Sequence, residues 1–349
     1  MTNPLALAAV AALALAAPPA VPPVPPAPPV PRLAPIPPVP PVPPTRGMWD
    51  ADEGVIPSSF EWSVKPTEDE ARAGQVDFQL GYRTDHHSSM MGSTVPLEQL
   101  VGLAAAQLSA EGQPVAFTLR RDAGEFRCKG VAGQGRGVGT CVYAANPAFA
   151  GGLGKRGIAA PNDWQQFQLA MFDIGFAYLD ELKRERYATP TLQELVIAGT
   201  HGAGLRQLKA MDAVGYHFGD VSSLVRVRDH GVSARYIEAL RDYGYTGLTP
   251  EQLVRLRNHG VSANYIGEMR AAGYAKLTPE DYARLRDHGV TAGFVADLRG
   301  QGYDRLSTEE LVRMRDHGIT GGFVRAANRD GSRLSPDELI RLRDTGGLR

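Results

Sequence analysis

A short phrase ending in His-Gly recurs through the second half of the chain at a constant interval of 29 residues. One copy, LVRLRNHG, ends at Gly260, and close copies stand before and after it. The histidines that mark the phrase are His201, His230, His259, His288 and His317. Phe172 has the same register one interval earlier. A fixed period of this length is typical of solenoid proteins, in which each repeat packs only against its neighbours. The period therefore predicts a stack of equivalent units over residues 151–349.

Each unit carries the start and stop signals of two short helices. In LTPEQLVRLRNHGV, Thr249 is suited to the N-cap, Pro250 to the first helical position, and Gln252 to completing a capping box. Gly260 ends the first helix, and Ser262 caps a second one. Because helices of about ten residues are unstable alone, each unit must bury its apolar side against its neighbours. We expect six helix pairs and a terminal half-unit. A tyrosine that follows the second helix is expected to anchor each turn to the core: Tyr216, Tyr245, Tyr274 and Tyr303.

The repeated histidine is interpreted as a residue of the helix end. His259 stands beside Gly260, where an imidazole meets unpaired carbonyls and the negative end of the helix dipole. Neighbouring units are separated by about 8–10 Å, whereas the ligands of one zinc ion each lie about 2 Å from it. A shared metal ion is therefore not expected, and a row of histidines that responds to pH stays open as an alternative.

Two rows of arginine follow the same period. The first row is Arg226, Arg255, Arg284 and Arg313, and the second is Arg228, Arg257, Arg286 and Arg315. From Asp220 to Arg349 there are 20 Lys and Arg against 18 Asp and Glu, and the whole chain has a formal net charge of −1. This balance argues against nucleic-acid binding. Arginines near helix ends, with acidic residues in the first turns, are also typical of a solvated surface that complements the helix dipoles. As the alternative, we take the first row as the candidate contact face for a protein or peptide partner.

The first 46 residues have the composition of a targeting signal and a spacer. Residues 5–17 are an apolar run of 13, too short to span a bilayer, which takes about 20 residues. The run has the length of a signal-peptide core, and Ala14 and Ala16 fit the small-residue cleavage pattern. We expect residues 1–17 to be a signal peptide and the protein to be periplasmic or secreted, with no membrane insertion after cleavage. An uncleaved anchor and an Ala-rich tail of a cytoplasmic protein stay open. Residues 18–46 predict a polyproline II spacer.

Residues 47–150 alternate apolar and polar residues, which predicts antiparallel strands in FEWSV, VDFQLGY and VAFTLRR. Helical spacing over residues 97–108 predicts one helix that covers a face of the sheet. The fold class is therefore α+β: a small antiparallel β-meander domain with one helix, followed by an α-solenoid of 29-residue two-helix repeats.

The meander gives a specific pairing. A two-residue turn at Gln134-Gly135 places Cys128 opposite Cys141 at a non-hydrogen-bonded position, where Cα atoms lie about 4.5 Å apart. The same register places Phe126 opposite Tyr143. The distance suits a disulfide, and an exported protein favours oxidation. Two reduced, buried cysteines remain the alternative.

One polar stretch, TDHHSSMMGS, contains a set of copper-compatible side chains: His86, His87, Met90 and Met91. We place it in a loop between a strand and a helix. A periplasmic copper-handling protein is therefore one alternative function, and an ordinary connecting loop is the other interpretation.

No standard catalytic motif is present in the sequence: it lacks H-E-x-x-H, a G-x-S-x-G elbow and a P-loop. Two cysteines exclude a site with four thiolate ligands. We therefore expect a non-enzymatic protein with no cofactor, and an unrecognised hydrolase stays open.

The text FTLRRDAGEFRCKG, GRGVGT and NPAF, followed by units such as LVRLRNHGVSANYIGEMRAAGY, resembles the C-terminal regions of bacterial beta-lactam-sensing-type membrane metalloproteases and of stand-alone envelope relatives. It extends from about Ser58 to the C-terminus, and the protease part with its zinc motif is absent. The resemblance implies an exported or envelope-facing module without protease activity. Because solenoid surfaces commonly bind proteins or peptides, we expect a binding or scaffold role in envelope sensing or signalling.

Overall fold

The computed structural model describes residues 56–67, 73–83 and 88–347. The expected signal peptide, the Pro-rich spacer, and His86 and His87 lie outside these residues. All of the described residues belong to one compact unit, in which an antiparallel sheet is followed by pairs of helices. This arrangement confirms the α+β class.

The sheet is antiparallel throughout and contains seven strands within the described residues. They are β1 (Phe60–Pro66), β2 (Gln75–Arg83), β3 (Ser88–Pro96), β4 (Leu100–Val101), β5 (Gln113–Arg121), β6 (Gly124–Gly133) and β7 (Arg136–Ala145). Their order across the sheet is β3-β2-β1-β7-β6-β5-β4. The strands expected from alternation are confirmed as β1, β2 and β5, and their apolar positions, such as Trp62, Phe78 and Phe117, are buried on one face.

The meander has the predicted register. Cys128 pairs with Cys141, and Phe126 pairs with Tyr143. The two turn residues between β6 and β7 have left-handed backbone, with φ of 54° and 80°, as a tight hairpin turn requires. The two sulfur atoms are bonded and the Cα atoms lie 4.0 Å apart. The disulfide is therefore a buried link between two strands of the core.

The predicted helix over residues 97–108 is wrong. The structure has a 3-10 turn at Leu97–Gln99, then β4, and then the short helix α1 (Ala105–Ser109). Leu100 pairs with Leu119 of β5, and Gly102 turns the chain with a φ of 108°. Pairing with the sheet edge overrides the helical spacing of the leucines, because strand formation depends on the partner more than on local preference.

The predicted loop between a strand and a helix is also wrong for most of its length. Residues 88–96 form β3, which pairs with β2 from Arg83–Ser88 to Gln75–Pro96. The sequence of this strand does not alternate apolar and polar residues clearly, because most of its side chains are short and polar. Among the side chains of β3 that the structure describes, Met91 and Val95 are the buried ones.

The helices beyond the sheet come in pairs, preceded by α2 (Phe149–Gly154). The first helices of the pairs are α3 (Asp163–Met171), α5 (Leu192–Thr200), α7 (Val221–Asp229), α9 (Pro250–Asn258), α11 (Pro279–Asp287) and α13 (Thr308–Asp316). The second helices are α4 (Phe176–Arg184), α6 (Leu205–Ala213), α8 (Ala234–Arg241), α10 (Ala263–Ala271), α12 (Ala292–Arg299) and α14 (Gly321–Ala327). The last helix, α15 (Pro336–Asp344), has no second helix after it in the described residues. Six pairs and a half-unit are confirmed.

The helix starts have the predicted caps. The Thr249 hydroxyl accepts a hydrogen bond from the backbone N–H of Gln252, and the Gln252 side-chain oxygen accepts one from the backbone N–H of Thr249. Pro250 occupies the first turn. Ser262 caps α10 in the same way, by accepting from Tyr265. These bonds satisfy N–H groups that a helix leaves unpaired at its start, so each short helix has fixed ends.

The pairs stack in two layers. First helices pack on first helices, from α3 to α15, and second helices pack on second helices, from α4 to α14. Each unit therefore buries its apolar positions, such as Leu253, Leu256 and Ile266, between its own two helices and its neighbours. The half-unit α15 covers α13 at the end of the first layer.

The sheet and the helices share one core. Phe167 of α3 stacks on Phe60 of β1 at 4.7 Å between ring centroids, and Trp164 packs against Tyr82 at 5.8 Å. The Gln166 side chain donates to two backbone carbonyls of the sheet region, each at 2.8 Å. The helix that covers this face of the sheet is therefore α3, and not a helix over residues 97–108. The expected boundary between residues 150 and 151 separates two kinds of secondary structure, but the hydrophobic core continues across it.

Candidate functional site

The repeated histidines join successive units. The Nδ1 of each histidine donates to a side-chain oxygen 27 or 28 residues ahead, in the next unit. The pairs are His201–Asp229 at 2.9 Å, His230–Asn258 at 2.7 Å, His259–Asp287 at 2.5 Å, His288–Asp316 at 2.8 Å and His317–Asp344 at 2.9 Å. Each histidine is the C-cap residue of a first helix. The expected position at the helix end is confirmed, and the partner in the next unit is what sequence reasoning missed.

The second arginine row also acts between units. Three guanidinium groups of the row, those of Arg257, Arg286 and Arg315, lie over an aromatic ring on the second helix of the preceding unit. The contacts are Arg257–Tyr236 at 4.9 Å, Arg286–Tyr265 at 5.1 Å, Arg315–Phe294 at 5.4 Å and, one turn of the stack later, Arg343–Phe323 at 5.3 Å. Arg286 also passes close to Gly260, whose left-handed φ of 67° ends the helix before it. The side chains that make these contacts therefore hold neighbouring units together.

Two sets of tyrosine hydroxyls complete the links. In one set the hydroxyls of Tyr245, Tyr274 and Tyr303 donate to backbone carbonyls 31 or 32 residues ahead, at 2.5–2.7 Å. In the other, Tyr236 and Tyr265 donate to the carbonyls of Val261 and Val290, each at 2.8 Å. Burial raises the pKa of Tyr236 and of Tyr265 to about 12. The tyrosines thus anchor each turn to the following unit as well as to the core.

The first arginine row is partly accessible, since Arg226 and Arg255 are half-buried and Arg284 and Arg313 are exposed. Arg226 pairs with Glu251 of the next unit at 3.5 Å, and Arg313 pairs with Asp337. Within the described residues Arg255 and Arg284 have no ion-pair partner, and Arg284 is exposed. The row therefore has two members held by the following unit and two in its middle without an ion-pair partner among the described residues, of which Arg255 is half-buried.

The outer surface of the second helices differs from unit to unit. One register position carries Arg206, Arg235, Asn264, Gly293 and Gly322, and another carries Lys209, Glu238, Gly267, Ala296 and Arg325. Most of these residues are exposed. The recurring histidines and tyrosines bind neighbouring units, whereas the varying positions of the second helices mostly face solvent.

The copper-compatible residues do not form one group in the described part of the chain. Met90 and Met91 are neighbours on β3 and point to opposite faces, so that Met90 is 67% exposed and Met91 is 5% exposed. His86 and His87 lie outside the described residues. The copper hypothesis stays a prediction.

One polar cluster was not found from the sequence. His217 lies 3.1 Å from a carboxylate oxygen of Glu185 and 3.7 Å from one of Asp212. Arg184 contacts the same two carboxylates, at 2.9 and 3.5 Å. In the next three units the position of Asp212 holds an arginine that donates to a backbone carbonyl, as Arg270 does to Tyr243. A comparison of the units by sequence could have found this cluster, because Asp212 departs from the residue type at its repeat position. The single guanidinium offsets one of the two negative charges, and the cluster forms an ion-pair network between two units.

Surface hollows are open and lie between units. One of about 420 Å³ is lined by Tyr216, His217, Tyr245 and Leu248 among others, and another of about 310 Å³ lies in the same register three units later, beside Tyr303 and Leu334. In the second hollow the Ser335 hydroxyl donates to Glu338 at 2.8 Å as part of the cap of α15. The two hollows have the same position in their units, so they follow from the repeated architecture.

The chain matches no protein-family model, no curated protein and no solved structure. The resemblance to the metalloprotease C-terminal regions stays an expectation from the sequence. Within the described residues, no helix combines the length and the apolar character that crossing a bilayer requires.

Proposed function

We propose that the protein is an exported, non-enzymatic binding module whose helical stack presents an extended surface to a protein or peptide partner. One observation carries the proposal: the repeated histidines and tyrosines bind the next unit, while Arg255 and Arg284 of the first arginine row have no ion-pair partner among the described residues. A stack held in this way is a frame with little freedom between units, and such frames bind extended partners on their outer faces.

The first arginine row is the proposed contact face. Arg255 and Arg284 stand in its middle without an ion-pair partner in the described structure, and Arg226 and Arg313 flank them. Successive units place these guanidinium groups about 8–10 Å apart, at the usual helix-packing distance. Guanidinium groups bind carboxylates with two parallel hydrogen bonds, so a partner with several carboxylates fits this row.

Export is part of the same proposal. The Cys128–Cys141 disulfide supports an oxidising compartment, since disulfides persist there and are rare in the cytosol. The apolar run at the N-terminus and the resemblance to envelope proteins support it as well. We place the protein in the periplasm or outside the cell, with a role in envelope sensing or signalling.

Affinity capture from an extract of the native cell envelope tests the contact face. We expect Arg255→Glu, Arg284→Glu and Arg313→Glu together to abolish recovery of the partner that the unchanged protein captures. The matched control reverses three exposed charges on the second-helix layer, Lys209→Glu, Arg235→Glu and Arg325→Glu, and should retain capture. Far-ultraviolet circular dichroism must be the same for both variants.

Three results contradict the proposal in distinguishable ways. Capture that survives the first triple variant removes the arginine row as the contact face. Loss only in the control moves the contact to the second-helix layer. Failure of the unchanged protein to capture any partner removes the binding function itself.

A further inference from the structure

The two edges of the sheet are unequal. At one edge β4 has only two residues, and it is followed by the turn at Gly102. At the other edge β3 has nine residues and pairs with β2 without a bulge over its whole length. Since β3 is the last strand on that side, its outer backbone groups form a long, regular edge.

The register shows which groups point outward. Thr67 donates through its backbone N–H to the carbonyl of Gln75, so odd-numbered residues of β2 bond to β1. Leu97 donates to the carbonyl of Gly74, so even-numbered residues of β2 bond to odd-numbered residues of β3. The N–H and C=O groups of Met90, Gly92 and Thr94 therefore point away from the sheet. These three residues have no further backbone partner among the described residues.

The edge is open in space at its centre. Gly92 is exposed, and a Cβ added to it would meet only atoms of Gln79 and Phe78, which belong to β2. The Met90 side chain beside it is 67% exposed. Nothing in the described structure covers the middle of β3 from the outside.

The chemistry of β3 lacks the usual protection. Edge strands are normally kept from pairing by lysine, proline, a bulge or very short length. From Ser88 to Val95 the strand has neither a charged residue nor a proline, and Pro96 stands only at its end. A second strand can therefore add to this edge through backbone hydrogen bonds.

We propose that the occupant is β3 of a second copy of this chain, antiparallel across a twofold axis at Gly92. In this register Met90 lies opposite Thr94 of the partner subunit, and Gly92 lies opposite Gly92 of the partner subunit. Each strand then donates three N–H bonds, from Met90, Gly92 and Thr94. Because the strand is uncharged, identical copies meet without like-charge repulsion, and the absence of a side chain at the centre allows close approach.

The dimer goes beyond the proposed binding function and uses a different surface. Charged substitutions on β3 of the full chain test the dimer, and analytical ultracentrifugation measures the assembly state. We expect the unchanged protein to dimerise, and Met90→Lys with Thr94→Lys to weaken dimerisation at least about tenfold, because lysines then face each other. Met90→Glu with Thr94→Glu should do the same. An equal mixture of the two variants should form the heterodimer.

A cysteine at the proposed axis tests the register separately. Gly92→Cys should form an intermolecular disulfide on mild oxidation, since opposite residues in this register lie about 5.5 Å apart. Val101→Cys, an exposed position at the other edge, is the matched control and should form no intermolecular disulfide under the same conditions. A monomeric unchanged protein, a lysine variant that dimerises as well as the unchanged chain, or a charge-swapped mixture that stays monomeric overturns the proposal. Binding of an unrelated extended peptide to a monomer would overturn it in favour of that partner.

Discussion

The Nδ1 atom of His259 donates to Oδ1 of Asp287 at 2.5 Å, across the boundary between two units of the stack. Asp287 directly precedes His288, which in turn donates to Asp316 at 2.8 Å. Each unit therefore supplies one donor to the unit ahead and one acceptor to the unit behind. The His-Gly phrase recurs because every copy must fit both neighbours.

Removing one acceptor should weaken the link by a small, measurable amount. We expect Asp287→Ala to lower the free energy of unfolding by about 0.5–1 kcal/mol, because the pair is partly exposed. Asp287→Asn should cost less, since the natural pair His230–Asn258 uses an amide oxygen at 2.7 Å. Urea denaturation of the three proteins measures the order, and equal losses in both variants would show that the contact contributes nothing.

The two arginine rows should respond differently to truncation. Arg286 lies over the Tyr265 ring, whereas Arg284, two residues earlier on the same helix, has neither a ring contact nor an ion pair in the described structure. We expect Arg286→Ala to cost about 1 kcal/mol and Arg284→Ala to cost almost nothing. Thermal unfolding of the two variants provides the measurement. If Arg284→Ala destabilises the protein as much as Arg286→Ala, the assignment of the second row to the frame is wrong.

Alkaline pH should loosen the stack through its buried tyrosines. Burial raises the pKa of Tyr265 to about 12 from its usual 10.0. The folded state thus favours the neutral phenol, and the resulting stability is complete below pH 10 and is lost as the pH rises toward 12. Tyr265→Phe should cost about 1 kcal/mol at neutral pH, through the lost bond to Val290, and should reduce the loss of stability between pH 10 and 12. Phe294 fills the same position one unit later, so the substitution fits. An unchanged pH profile would contradict this.

Opening the disulfide should destabilise the sheet without changing its register. Cys128 and Cys141 are 13 residues apart, and closing a loop of that length stabilises a fold by about 3 kcal/mol. We expect reduction, or replacement of both residues by alanine, to lower the midpoint of denaturant unfolding by a corresponding amount. The matched measurement adds reductant to the alanine variant, which should then show no further change.

Local signals were sufficient for much of this fold. The caps at Thr249 and Ser262 and the stop at Gly260 define helices whose ends the sequence alone can place, because capping depends on neighbours within one turn. The Cys128–Cys141 pairing follows from a turn of two residues, since a hairpin fixes its own register.

The failures involve partners that are distant in the sequence. Leu100 belongs to β4 because Leu119 of β5 is available to pair with it, and nothing in residues 97–108 announces that partner. Likewise the Asp287 acceptor lies 28 residues from His259. The period predicts that units stack, but the rotation between units decides which side chains meet. The contact of Arg286 with Tyr265 could not be predicted for the same reason, because it depends on the rotation between successive units.

The most direct test of the account is deletion of one complete unit. Removing residues 250–278 takes out α9, α10 and their connections, and it joins Thr249 to Pro279 in register, so that His230 meets Asp287 and Arg286 meets Tyr236. We predict one cooperative unfolding transition and an unchanged helical signal per residue. Removing only residues 250–262 should abolish cooperative unfolding, because α10 loses its partner and the register shifts. A chain that collapses on loss of the complete unit, or that tolerates both deletions equally, would contradict the claim that these units are equivalent and mutually dependent.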